Sequence, residues 1–285
     1  MPTDPRPRTI VLGASDRPRV VAEAERLRQD IEQHCDIVVW DMGFEEDLDE
    51  KEADLVIVFG GDGSILRSAH KLAGRPLPVV GVNMGKLGFL ADLTPDELID
   101  SLPDICQQRC RVIEHLMYDA EVYRGDAVIN RHLGLNEVAV LAGPPFQMLE
   151  VHLYVDAKLA TTYSCDGLIV STPVGSTAHS LSAGGPILRK DLQAFVICPI
   201  SPHTLTNRPV VDTADRTYEL VVTNPNAGSG VVADGRWLTA LEPNDRVRVR
   251  RAAATFRMVE APGHSYYRTL REKLGWGGRL RLAGD

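Results

Sequence analysis

Asp62 lies among three glycines, Gly60-Gly61-Asp62-Gly63, where an apolar run from Leu55 to Phe59 stops and a helix-compatible segment opens at Ser64. Glycine has no Cβ, so backbone amides in such a turn can come up against a bulky anion. A helix start adds unpaired N–H groups and a partial positive charge. The chemistry that suits these residues is phosphate binding, by Gly60, Gly61, Gly63 and Ser64. An acid at the rim of a phosphate site repels the anion unless it binds a metal or accepts a proton, which makes Asp62 the candidate catalytic group. A tight turn with Asp62 as a simple helix cap is the alternative reading.

A second constellation runs from Asp166 to Ser182. Leu168–Ser171 reads as a strand, and the turn after it is dense in Pro, Gly and hydroxyls, with a helix start near Ser176. Small side chains expose amides, and hydroxyls both donate and accept, a combination suited to a ribose or an adenine edge. An ordinary loop is the alternative. Gly184-Gly185-Pro186 again permits close backbone approach. Earlier, Asn136-Glu137 precedes the apolar Val138–Leu141. A paired amide and carboxylate at a strand start suits two vicinal hydroxyls, and a surface turn is the bland counterpart.

The elements that must hold these groups follow from periodicity. In the first third, strands are expected at Thr9–Leu12, Ile37–Trp40, Leu55–Phe59 and Pro78–Val82, with helices at Arg19–Gln33 and Ile65–Leu72. Alternating strands and helices imply a parallel sheet with ligands beyond the carboxyl ends of its strands. Glu45–Glu52 reads as a solvated connector. Thr94, Pro95 and Glu97 make a capping box opening a helix that should end near Arg109 and close a first domain, residues 1–110. From Arg111 the pattern changes to short runs at Tyr118–Tyr123, Leu149–Val155, Leu168–Ser171, Phe195–Cys198, Tyr218–Val222 and Val247–Arg250, split by Gly, Pro, Asn and Asp. This is the signature of an antiparallel β domain, placed at 111–261. Ser265–Leu274 reads as helical, and 262–285 is expected to pack back on the first domain.

The 285 residues suffice for two ordinary domains, and 44% hydrophobic with 25% charged residues is the balance of a globular protein. A net charge of −8 argues against general affinity for nucleic acid or anionic membranes. No apolar run is long enough to span a bilayer and no signal core is evident, so a cytoplasmic location is expected. The five cysteines, Cys35, Cys106, Cys110, Cys165 and Cys198, are expected to be reduced, mostly as small core residues. Cys106 and Cys110 are four apart with no partner pair for zinc, so no protein-held metal site is expected.

Several motifs, in order, give the chain a resemblance to the NAD kinases. Phe59–Ser64 resembles the family's GGDG[ST] signature, and Gly81–Leu90 its G-x-N-x-G-x-L-G-F-L segment. Leu135-Asn136-Glu137 is similar to L-N-E/D, and Asp166–Ser182 to D-G-x-I-V-S-T-P-T-G-S-T-A-Y-S-x-S. Pro199–Leu205, Asn207-Arg208-Pro209, Asp234-Gly235 and the KLGW at Lys273–Trp276 also fit. GGDG alone is shared with lipid kinases of the diacylglycerol and sphingosine type; the ordered set is far more specific.

The resemblance implies a Rossmann-like α/β domain with a parallel sheet, a β-rich, sandwich-like C-terminal domain, and an active site in the cleft between them. It implies transfer of the γ-phosphoryl of ATP, or of polyphosphate, to the 2′-hydroxyl of the adenosine ribose of NAD+. Gly60, Gly61, Gly63 and Ser64 would cradle the donor phosphates, with a divalent metal, Mg2+, carried on the nucleotide. Asp62 would act as general base, and Asp62, Gly63, Asn83, Phe89, Asn136, Glu137, Asp166, Thr177, Ala178, His179 and Ser182 would bind NAD. Arg67, Lys86 or Arg208 would supply positive charge. Homodimers or homotetramers are implied by the same analogy, with NAD+ and ATP as the partners. Two positions depart from the family pattern, Val174 for Thr and His179 for Tyr, and both bear on acceptor affinity. A GGDG-type lipid kinase and a catalytically silent NAD(H)-binding sensor are the alternative functions.

Overall fold

Every residue from Leu55 to Gly60 is buried, and this is what an apolar run in the middle of a parallel sheet requires. The computed structural model describes residues 6–85, 88–144, 147–204, 206–263 and 266–275. Within them the chain divides into two compact units. Among these described residues, unit one runs from 6 to 72, from 76 to 113 and from 257 to 275, and unit two takes 73–75 and 114–256; residues 276–285, part of the expected return segment, lie outside the described residues.

Unit one opens with β1 (Arg8–Gly13), α1 (Pro18–His34), β2 (Asp36–Asp41), β3 (Leu55–Gly60), α2 (Asp62–Leu72), β4 (Pro78–Asn83) and α3 (Pro95–Cys106). The four strands lie parallel in the order β2-β1-β3-β4. One core holds Val11, Ile57, Phe59, Val80 and Val82 of the sheet with Leu27 and Ile31 of α1 and Leu98 and Leu102 of α3. The capping box is formed: Glu97 N–H donates to Thr94 Oγ1, and Thr94 N–H donates to Glu97. Two helix boundaries differ from expectation. α2 begins at Asp62 rather than Ser64, because Gly61 O already accepts the N–H groups of Ser64 at 2.9 Å and Ile65 at 3.2 Å and so opens the helical ladder. α3 stops at Cys106 rather than near Arg109, where Gln108 takes φ 54° and breaks the helical path.

Unit two is built from β5 (Arg111–Arg124), β6 (Ala127–Gly134), β7 (Glu137–Leu141), β8 (Leu149–Val155), β9 (Lys158–Cys165), β10 (Gly167–Ser171), a 3-10 turn at Gly175–Thr177, α4 (His179–Ser182), β11 (Ala194–Ile200), β12 (Val210–Thr213), β13 (Tyr218–Val222), β14 (Gly230–Ala233), β15 (Arg236–Ala240) and β16 (Asp245–Glu260). One antiparallel sheet runs β12-β11-β10-β7-β14-β15. In the other, β16 pairs with β13, β13 with β8 and β8 with β9, while β5 pairs with β16 and β6. Their inner faces share one core in which Tyr118, Val151, Leu220 and Val247 meet Val138, Val170, Phe195 and Val231. The chain re-enters unit one at Arg257, where β16 pairs parallel with β4, and ends its described part in α5 (Tyr266–Leu274). No helix among the described residues is long and apolar enough to cross a membrane.

Candidate active site

The glycine turn sits at the carboxyl end of β3, beside the end of β4, where Gly60 pairs in register with Asn83. Gly60 has φ 152°, and a Cβ there would overlap the Ser64 side chain, so the turn itself demands glycine. Gly61 and Gly63 differ: a Cβ at either would meet nothing within 4 Å. Packing does not require glycine at these two positions, and bare backbone there leaves room for a ligand. Both line a pocket of about 190 Å³ with Ser64, Ala14, Asp16, Arg17, Phe44 and Arg67. Arg67 is anchored by donating to Gly43 O at 2.8 Å and lies 4.6 Å over the Phe44 ring. Of the three cations expected from sequence, Arg67 reaches this pocket, Arg208 belongs to unit two and Lys86 lies outside the described residues. Arg17 stands beside Arg67 and was not legible, because a lone exposed arginine at a helix start carries no pattern.

Asp62 does not cap its own helix. Its Oδ2 accepts the Phe89 N–H at 2.8 Å, and its Oδ1 accepts the N–H groups of Leu90 at 2.8 Å and Ala91 at 3.2 Å. Gly88 permits this approach, since a Cβ there would overlap Asp62 Oδ1. The Lys273 ammonium stands 3.4 Å from Asp62 Oδ2. Asn83 is turned to its own loop, its Oδ1 accepting Gly85 N–H at 2.9 Å, and the Phe89 side chain is buried. Unit one thus gathers Gly60, Gly61, Asp62, Gly63, Ser64, Asn83 and Phe89 around the ends of β3 and β4.

In unit two, Asn136 and Glu137 occupy the step from β6 into β7, and the segment after β10 folds over them. Asn136 O accepts Thr172 N–H at 2.8 Å, and Leu135 O accepts the Thr172 hydroxyl at 2.6 Å. A Cβ on Gly175 would overlap the Asn136 carbonyl, so glycine is required for this contact. Asp234, buried at the β14–β15 hairpin, pins the same step. Its carboxylate accepts the N–H groups of Leu135 and Asn136 at 2.8 Å, that of Glu137 at 3.1 Å, and the Tyr118 hydroxyl at 3.1 Å. Its positioning role escaped the sequence reading; the only local signal was an Asp-Gly turn, with φ 47° and 74° at Asp234 and Gly235.

Glu137 is buried, and its Oε2 has no hydrogen-bond partner among the described residues. Burial, with the nearby Asp234 charge adding to it, pushes its carboxyl up to about 8, against a donated His179 N–H. Glu137 therefore carries a proton at neutral pH and presents one unused oxygen. Thr177, Ala178 and His179 follow immediately on the turn, and Ser182 closes α4. Burial lowers the His179 imidazole below its ordinary value, so it is neutral at pH 7. Val174 is buried at 4% exposure, an apolar packing position in this chain. Asp166 is not brought to this group. It precedes β10, whereas Glu137 pairs with Ser171 at the strand's far end, five residues or roughly 17 Å away. Its neighbour is His203, with Nε2 3.7 Å from Oδ1.

Residues 14–110 match the family described as ATP-NAD kinase N-terminal domain, and residues 135–261 match ATP-NAD kinase C-terminal domain. The chain is 55% identical over 276 residues to the NAD kinase of Rhodopirellula baltica, spanning 97% of this chain and 89% of that one. It is 39% identical over 251 residues to the NAD kinase of Colwellia psychrerythraea, spanning 88% and 85%. The crystal structure of an NAD kinase from Archaeoglobus fulgidus in complex with ATP superposes with a TM-score of 0.74 at 27% identity, over 94% of this chain and 97% of that one. Yeast NADH kinase complexed with NADH shares the fold, with a TM-score of 0.81 at 20% identity over 99% and 91%.

Proposed function

The chain belongs to the ATP-NAD kinase family, and from that premise we propose that it transfers the γ-phosphoryl group of ATP to the 2′-hydroxyl of the adenosine ribose of NAD+, giving NADP+ and ADP. Phosphoryl transfer asks a protein for positioning and charge neutralisation more than for covalent chemistry. The amides of Gly60, Gly61 and Gly63 and the Ser64 hydroxyl receive the donor phosphates, with Arg17 and Arg67 at the rim of their pocket. The Asp16 carboxylate and Ser64 hydroxyl give that pocket oxygen donors of the kind a hydrated Mg2+ prefers, which fits a cation arriving with the nucleotide. When bound, such a cation would neutralise negative charge on the phosphates.

Asp62 takes the proton of the 2′-hydroxyl. Three backbone donors fix its carboxylate, so its remaining lone pairs have a set direction and no reorganisation is needed at the moment of transfer. This fixed carboxylate, beside glycines with open space above them, is the single observation that carries the reading. Asn83 and Phe89 support the same loop. Asn136 and the protonated Glu137 bind acceptor hydroxyls, Glu137 as donor through its unpaired oxygen. Thr177, Ala178 and His179 meet the adenine, with Ser182 and Asp166 contributing to the rest of the dinucleotide. Homodimers or homotetramers and a cytoplasmic location extend the family analogy.

The test is direct. Purified protein is incubated with ATP, Mg2+ and NAD+, and NADP+ is read by an NADP+-dependent dehydrogenase. Steady NADP+ formation is expected. Tight NAD+ binding without NADP+ would overturn the reading, and replacing ATP by polyphosphate in a parallel arm assigns the donor.

A further inference from the structure

The last turn of α5 has no part in the reading above, yet it sets the Lys273 ammonium 3.4 Å from Asp62 Oδ2 and 4.0 Å from the centroid of the Phe89 ring. Folding does not call for this cluster. Asp62 is already satisfied by three backbone N–H groups. Ion pairs between side chains 30% and 33% exposed add little to stability, and fixing a lysine costs rotamer entropy. The arrangement holds one cation at one place. The face of the Phe89 ring attracts it, and the Phe89 N–H binds the same carboxylate oxygen that the ammonium faces. An ammonium has three donors, and Lys273 uses one on Asp62.

We propose that Lys273 is a catalytic residue that pairs with Asp62 before transfer and with the new 2′-phosphate after it. The inference rests on the reaction proposed above. In that reaction the 2′-O–H bond breaks and its proton passes to the Asp62 carboxylate. The ribose oxygen bonds to the γ-phosphorus as the bond from phosphorus to the β–γ bridging oxygen breaks, and ADP leaves with that electron pair. Asp62 ends neutral, and the product carries a phosphate dianion. One negative charge has in effect moved from the carboxylate to the phosphate. A lysine stem follows it by rotation alone, so the ammonium is paired at both ends of the step and stabilises the charge in transit.

NAD+ and NADP+ differ only in the 2′-phosphate, so the ratio of their dissociation constants isolates this contact. It is measured by calorimetry on wild type, Lys273→Met, Lys273→Gln and Lys273→Arg, with thermal unfolding of each. Lys273→Met and Lys273→Gln should weaken NADP+ by roughly tenfold or more, as expected for losing a charge-assisted phosphate contact, and NAD+ by no more than about twofold. Their kcat should fall at least about tenfold with the KM for NAD+ within about threefold, a pattern of transition-state loss. Lys273→Arg should recover part of the NADP+ affinity. Glu272→Gln, next on the helix and paired with Arg268 at 2.9 Å, should keep the wild-type ratio. Equal weakening of both dinucleotides, or an unchanged ratio, would overturn the inference. A wild-type protein that forms no NADP+ would instead overturn the reaction on which it rests.

Discussion

The glycine turn of unit one and the Asn136–Glu137 step of unit two both centre on a carboxylate held near glycine, and they are built in opposite ways. Asp62 accepts three backbone N–H groups, while Gly61 and Gly63 beside it face open space. Glu137 has an unpartnered buried oxygen, while Gly175 beside it is closed in by the Asn136 carbonyl. In the first, bare glycine leaves open space; in the second, glycine is bare so that the protein can close on itself. The acids divide in the same sense. One is fixed by donors and left accessible to take a proton. The other has one backbone donor, the His179 N–H, and one oxygen with none, so burial keeps it protonated and able to give a hydrogen bond.

The contrast can be broken at four places. The largest effect is expected at Asp234, which organises the second region without touching solvent. Asp234→Ala orphans three backbone N–H groups, while the Tyr118 hydroxyl keeps Glu137 O at 2.7 Å, and should cost roughly 4 kcal/mol in urea unfolding. Gly175→Ala, with no room for its Cβ, should cost roughly 3 kcal/mol. Gly63→Ala is its counterpart in open space. It should leave stability unchanged or raise it by less than about 1 kcal/mol, while raising the KM for ATP by roughly tenfold through obstruction of an amide-lined anion site.

Glu137 sharpens the comparison through pH. Its folded value near 8 lies above its ordinary 4.5, so its protonation stabilises the native state fully below pH 4.5, and that contribution is lost as pH rises through about 8. Stability of the free protein should therefore fall between about pH 5 and pH 8 by roughly 3 kcal/mol, and Glu137→Gln should flatten the slope. A wild-type stability that rises over this range would place the proton elsewhere. Between Gly63→Ala and this titration, the second is the larger stability effect and the first the larger kinetic one.

What the sequence made visible follows from the same physics. β3 and the turn after it were legible because both faces of the strand are buried and its residues are uniformly apolar. The capping box at Thr94 was legible because its three residues are local. β6, AVINRHLG, and β9, KLATTYSC, escaped because their exposed faces carry mixed polar residues at no clean period. Asp234 and Lys273 stood out only as members of family motifs. Their contacts, to Leu135 and to Asp62, bridge 99 and 211 positions in the chain, and no local pattern encodes a partner at that distance. Asp166 shows the converse: it belongs to the same sequence motif as Thr177 and Ala178, yet the length of β10 separates it from the turn that carries them.

Whether Asp62 takes the proton of the 2′-hydroxyl is decided by Asp62→Asn in single-turnover phosphorylation of bound NAD+, with NAD+ affinity measured alongside. NAD+ should still bind within about threefold of wild type while the transfer rate falls by roughly 10²–10⁴-fold. A transfer rate equal to that of wild type would contradict it.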